Sequence, residues 1–147
     1  MPSQSDLDKT YLEMAKVWSK LSKAKRQKVG CLVVKNGVII SDGYNGTPKG
    51  FDNECEYNPN PNLFHKILTK PEVLHAESNA ITKLSKSTQS SCGATMYITI
   101  APCLDCSKLI IQSGIERVVY KNNYKNLEGV NLLKKANIKV DCYENKI

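Results

Sequence analysis

The chain lacks any apolar run approaching the roughly 20 residues that cross a bilayer. Its first residues, Met1 to Lys9, are polar where a secretory signal would carry an apolar stretch. The first absence excludes a helical membrane span, and the second makes a cytoplasmic location the expectation. There is no arginine-rich tail and no alternation of basic and aromatic residues, so the usual footprint of a nucleic-acid binder is missing. No repeat, linker or second domain interrupts the 147 residues. One domain over 1–147 is therefore expected, long enough to bury a core of its own.

What is present begins with charge. Lys and Arg number 21 against 14 Asp and Glu, a formal +7. An excess of this size suits a polyanionic partner, either nucleic acid or a phosphorylated small molecule. The lysines are scattered, and the basic residues cluster most clearly at Lys23-Ala24-Lys25-Arg26-Gln27-Lys28. The six cysteines are Cys31, Cys55, Cys92, Cys103, Cys106 and Cys142. Without a secretory signal, and with Cys103 and Cys106 spaced as C-x-x-C, they read as reduced thiols with a metal pair rather than as disulfides. Cys31 and Cys142 lie in apolar strand-like runs and read as core.

Hydrophobic spacing sets the expected elements. Ser5 or Asp6 caps a first helix whose stripe is Leu7, Tyr11, Met14, Ala15, Trp18 and Leu21, facing the core or a subunit interface. Val29–Val34 and Val38–Ser41 form a hairpin about the tight turn Asn36-Gly37. Gly43–Asn62 is a long loop of the kind that often carries function. Ala76–Leu84 is helical, Ala94–Ile100 a strand, and Cys103–Ser113 a helix ended by Gly114. Ile115–Tyr120 is a strand, Val130–Ala136 a helix and Ile138–Tyr143 a last strand. Strand-helix-strand-helix-strand implies right-handed crossovers and parallel strands. The expected architecture is a mixed five-stranded sheet with helices on both faces.

Two short motifs carry the chemistry. His75-Ala76-Glu77 comes first and Pro102-Cys103-Leu104-Asp105-Cys106 follows. One His and two Cys fill three corners of a zinc tetrahedron, and the fourth stays open for water, which separates a catalytic zinc from a closed structural one. Cys103 and Cys106, three apart at a helix start, converge on one face, and unpaired N–H groups there favour thiolate. Zinc with two thiolates and a neutral imidazole carries about zero net charge, so water activation depends partly on Glu77. H-x-E followed by P-C-x-x-C is the signature of zinc-dependent nucleobase deaminases. In that chemistry Glu77 takes the water's proton to the ring nitrogen and then protonates the departing amino group. A structural site would need a fourth ligand, for which Cys92 or His65 are the candidates, and it would have no need of Glu77.

His75-Ala76-Glu77-Ser78-Asn79-Ala80-Ile81, Pro102-Cys103-Leu104-Asp105-Cys106 and Gly43-Tyr44-Asn45-Gly46-Thr47-Pro48-Lys49-Gly50 together resemble the deoxycytidylate (dCMP) deaminases, especially compact bacterial and viral ones. The resemblance spans Tyr11 to Tyr143 and implies a three-layer α/β/α cytidine-deaminase-like fold. It implies zinc on His75, Cys103 and Cys106 with Glu77 as proton shuttle. It also implies Asn45 on the deoxyribose 3′-hydroxyl, Val29 and the backbone of Ala76 on the base, and Tyr124, with Tyr120 at the strand end as the alternative, closing over the pyrimidine. Asn45 also reads as a turn asparagine and Val29 as strand core. Ser22, Lys25 and Arg26 are candidates for the phosphate. The family resemblance further implies a homo-oligomer, a hexamer, in which dCTP with Mg²⁺ activates and dTTP inhibits. Gly46, Gly50, Phe51 and Asp52 are then the candidate regulatory contacts, and Lys86 a subunit contact. Some relatives hold a second zinc. Cys55 and His65 complete no clean set for one, so a single zinc is expected. The competing readings are a tRNA adenosine deaminase, which predicts a conspicuous basic surface, and a non-enzymatic zinc-stapled binding module.

Overall fold

Asn36 and Gly37 both adopt positive φ, 51° and 76°, the conformation that turns a two-residue hairpin. They join β1 (Gly30–Lys35) to β2 (Val38–Tyr44) in antiparallel register, with Gly30 opposite Tyr44 and Lys35 opposite Val38. In this computed structural model, which describes residues 1–62 and 66–143, the hairpin is one edge of the main sheet. β5 (Thr95–Ile100) lies antiparallel to β1, and β6 (Arg117–Asn122) and β7 (Lys139–Cys142) follow in parallel. The order is β2-β1-β5-β6-β7, and a separate two-stranded sheet pairs β3 (Glu56–Tyr57) with β4 (Leu68–Thr69). The mixed five-stranded sheet is the one expected.

Side-chain alternation divides the core. Cys31, Val33, Met96, Ile98, Val118 and Tyr120 face one way, onto α2 (Ala76–Leu84), α3 (Leu104–Gln112) and α4 (Glu128–Lys135). Leu32, Val34, Tyr97 and Val119 face the other way, onto Leu12 and Ala15 of α1 (Gln4–Ser19). Each fully buried aliphatic side chain contributes about 1.5–3 kcal/mol. The result is three layers, α1 / sheet / α2-α3-α4. At the edge strand β2 an ideal Cβ on Gly43 would stand 2.3 Å from the Ala76 carbonyl oxygen. Helix α2 therefore seats on bare backbone there.

Three expectations are corrected. The N-cap of α1 is Ser3, because Ser3 and Asp6 form a reciprocal box: Ser3 Oγ accepts from Asp6 N at 3.1 Å and Ser3 N donates to Asp6 Oδ2 at 3.0 Å. The buried face of α1 is Asp8, Leu12, Ala15 and Ser19, while Met14 and Leu21 of the expected stripe are exposed. The apolar pattern misled because the inward face carries a carboxylate. Strand β6 begins two residues late, at Arg117, and runs on to Asn122, held by the parallel pairing of Ile100 with Asn122.

That carboxylate has a full set of partners. Arg117 donates Nη1 and Nη2 to the two oxygens of Asp8 at 2.8 and 2.7 Å. Tyr97, Tyr143 and Gln4 donate to the same group at 2.6, 2.9 and 2.9 Å. Asp141 takes the outer side of Arg117 through Nε and Nη2. Burial pushes the Asp8 carboxyl up, but the hydrogen bonds from Arg117 and the two tyrosines outweigh it and hold the group well below the usual carboxylate range. The network ties α1, β5, β6 and β7 on the face away from the other three helices. Replacing Asp8 by Ala leaves Arg117 buried with half its partners, and a loss of about 3–5 kcal/mol in urea unfolding at neutral pH is expected. Because Asp8 is depressed, that gap to wild type is complete above about pH 4 and narrows as pH falls further.

Candidate active site

His75 is the N-cap of α2 and Cys103 the N-cap of α3. The His75 side chain makes no capping hydrogen bond, and Cys103 Sγ accepts from Cys106 N at 3.5 Å. Both residues are extended, with ψ of 158° and 173°, so each side chain leaves the chain just before the helix winds up. Pro102 is fully buried ahead of Cys103, and Ala101 N is bonded to Asn122 O at 2.8 Å, which locks the approach of α3 to the end of β6. The two helix starts meet. His75 Nδ1 lies 3.2 Å from Cys106 Sγ and 3.5 Å from Cys103 Sγ.

The three ligand atoms all lie within 4.8 Å of one another. Edges of a zinc tetrahedron with one nitrogen and two sulfurs are about 3.5–3.8 Å from the usual bond lengths, so the set fits zinc with little adjustment. The protonation of the three fits as well. The hydrogen bond from Cys106 brings Cys103 down to about 4. The Cys103 thiolate, together with burial, pushes Cys106 up. The hydrogen bond to Cys103 raises His75. Three basic atoms crowd round protons that a divalent cation would displace.

Glu77 sits in the first turn of α2, 3% exposed. Burial pushes its carboxyl up to about 7, opposed by hydrogen bonding to its own backbone and by the charge of His75. It is therefore a carboxyl that can hold a proton and give it up near neutrality.

Beside these groups opens a cavity of about 430 Å³. His75, Ala76, Glu77 and Cys103 line it together with Val29, Asn45 and Tyr124. Asn45 is held at both ends of its amide: Oδ1 accepts from Val29 N and Nδ2 donates to Gln27 O, each at 2.8 Å. It thereby bolts the segment ahead of β1. Asn79 similarly ties α2 to the end of β2, donating to Tyr44 O at 2.8 Å.

The three phosphate candidates divide. Arg26 lines the cavity. Ser22 is buried and spends its hydroxyl on the Asn45 carbonyl, 2.8 Å away. Lys25 donates its backbone N–H to Glu56. Among the regulatory candidates, Gly46 lines a second cavity of about 520 Å³ with Tyr44, Thr47, Lys49, Asn79, Lys83 and Lys86. Gly50, Phe51 and Asp52 stand outside it: Phe51 is exposed and Asp52 pairs with Lys70 at 3.6 Å. His65 lies outside the described residues. Cys55, Glu56, Thr69 and Lys125 also line the first cavity and were not anticipated there. Only Lys125 carried a signal, its place beside Tyr124, and its Nζ stands 5.7 Å from that ring's centroid.

An open three-ligand centre with a buried carboxyl beside it, on a mixed sheet between helical layers, defines a zinc-dependent deaminase. Residues 5–122 match the cytidine and deoxycytidylate deaminase zinc-binding region, and the chain belongs to that family. Among its relatives, the deoxycytidylate deaminase of Enterobacteria phage T4 is 37% identical over 89% of this chain and 86% of that protein. That of Mycobacterium phage D29 is 37% identical over 80% of this chain and 96% of that protein. The crystal structure of dCMP deaminase from cyanophage S-TIM5 in complex with dCMP and dUMP superposes with a TM-score of 0.86. It shares 40% identity over 96% of this chain and 99% of that one.

Elemental analysis of the purified protein should return one zinc per chain. Cys106→Ser should lose it, while Glu77→Gln should retain it, because the ligand cluster is His75, Cys103 and Cys106 and does not include Glu77.

Proposed function

We propose that the chain deaminates dCMP: dCMP and water give dUMP and ammonia. The observation that carries this is the content of one cavity, where His75, Cys103 and Glu77 share a wall with Asn45, Tyr124 and Arg26. Zinc, which His75, Cys103 and Cys106 would hold, would supply an activated water.

The remaining work falls to the chain. Glu77 carries one proton of the water to the ring nitrogen as the oxygen adds to the amino-bearing carbon, then moves the second from the added hydroxyl to the amino group, whose C–N bond breaks to release ammonia. Its raised proton affinity suits it to hold each proton between pick-up and delivery. Val29, Tyr124 and the backbone of Ala76 flank the base. Asn45, anchored to Val29 and Gln27, presents the remaining donor and acceptor capacity of its amide to the 3′-hydroxyl. Arg26 and Lys125 are the lining Lys and Arg side chains and take the phosphate. Ser22 contributes by fixing Asn45, and Lys25 by its backbone.

Regulation completes the proposal. The loop after β2 gives Asn45 to the first cavity and Gly46 to the second, so a ligand in one bears on the other. Lys49, Lys83 and Lys86 make the second cavity a fitting site for a triphosphate with Mg²⁺, with dCTP as activator and dTTP as inhibitor in a cytoplasmic hexamer that supplies dUMP for thymidylate synthesis.

Assays across cytidine, CMP, dCMP, dCTP and an adenosine-bearing tRNA should single out dCMP. Preferred turnover of the tRNA would replace this reading. Glu77→Gln should lower kcat on dCMP by about 10²–10⁴-fold with zinc retained, and equal turnover would refute the proton shuttle. The rate against dCMP should be sigmoidal, becoming hyperbolic with dCTP and Mg²⁺, and Lys86→Ala should blunt that response. A hyperbola unmoved by either triphosphate would remove the regulation and leave the chemistry.

A further inference from the structure

Strands β3 and β4 form a two-stranded sheet separate from the five main strands. Its two cross-strand partners Glu56 and Thr69 both grip the basic turn ahead of β1. Glu56 Oε2 accepts the backbone N–H of Lys25 at 2.8 Å and of Arg26 at 3.0 Å. Thr69 Oγ1 accepts from Arg26 Nη1 at 3.3 Å. One strand thus holds the backbone of Arg26 and the other its guanidinium, and all three residues line the active-site cavity.

Two consecutive N–H groups converging on one point is a geometry that otherwise binds phosphate. Here the point is filled by the chain's own carboxylate. Among the described lining residues, the Lys and Arg side chains left for a ligand's phosphate are those of Arg26 and Lys125, beside the Glu56 carboxylate. The two cations together match a phosphate of charge about −2, and Glu56 leaves no positive charge in excess. A further phosphate adds negative charge against Glu56 without adding a cation.

We infer that the Glu56–Thr69 pair sets how many phosphates the site accepts: it aims Arg26 at a single phosphate, and the Glu56 charge repels a second. The inference rests on the dCMP reading above and identifies the residues that enforce the monophosphate in it.

The probes are deoxyuridine, dUMP and dUDP, which share base and sugar and differ only at the phosphate end, measured as competitive inhibitors of dCMP turnover. Wild-type enzyme should bind dUMP at least tenfold more tightly than dUDP. Glu56→Gln keeps an oxygen for the two N–H groups and removes the charge, so the dUDP/dUMP ratio of inhibition constants should fall about tenfold. Thr69→Val frees Arg26, so dUMP and dUDP should weaken together, severalfold or more, with deoxyuridine unmoved. A ratio in Glu56→Gln within twofold of wild type overturns the inference, as does a change in deoxyuridine equal to that in dUMP. Failure of wild-type enzyme to turn over dCMP would instead overturn the reading beneath it, so the two failures are told apart.

Discussion

Two helices start at the same place, and neither start carries a usual capping residue. His75 and Cys103 occupy the N-cap positions of α2 and α3, where a serine or aspartate would ordinarily satisfy free N–H groups. Here those positions hold metal ligands. The positive ends of two helix dipoles therefore face one cluster of thiols and imidazole, which favours the anionic sulfur that zinc requires. Everything else near the site serves this convergence. Pro102 and the Ala101–Asn122 hydrogen bond deliver α3, Asn79 and the Gly43 seat deliver α2, and Glu77 rides inward on the first turn of the helix that carries His75.

The sheet separates two polar centres that a single core could not hold side by side. On one face lie the zinc ligands and Glu77. On the other, Asp8 and Arg117 form a paired charge inside four hydrogen-bonding neighbours. A buried ion pair of this kind adds little net stability over an apolar substitute. Its effect is to fix the position of α1 over β5, β6 and β7, so that the layer opposite the active site has one arrangement.

Residues whose roles are local were legible in the sequence. The hairpin needed only Asn36-Gly37, α2 matched residue for residue, and the metal ligands followed from two motifs whose spacing converges without help from the rest of the fold. Residues whose roles depend on distant partners were not. Asp8 broke the apolar stripe of α1 because its partner is Arg117, more than a hundred positions along the chain. Glu56 and Thr69 lie in a segment with no hydrophobic period, and only the pairing of β3 with β4 shows that they act together. Ser22 was read as a ligand from its place beside the basic turn, whereas in space its hydroxyl is turned to the carbonyl of Asn45.

The contact between Gly43 and the Ala76 carbonyl sets the separation between α2 and the sheet. It is made by main chain alone, and main chain has no rotamers and no graded sizes. A larger or smaller side chain cannot open or close that seam by a few tenths of an ångström, as it can elsewhere in a packed interior. At this seam the depth of Glu77 beneath the cavity is all-or-nothing, so natural variation in the shape of the pocket has to be written in the segments around it: the basic turn, the loop after β2 and the β3–β4 clip.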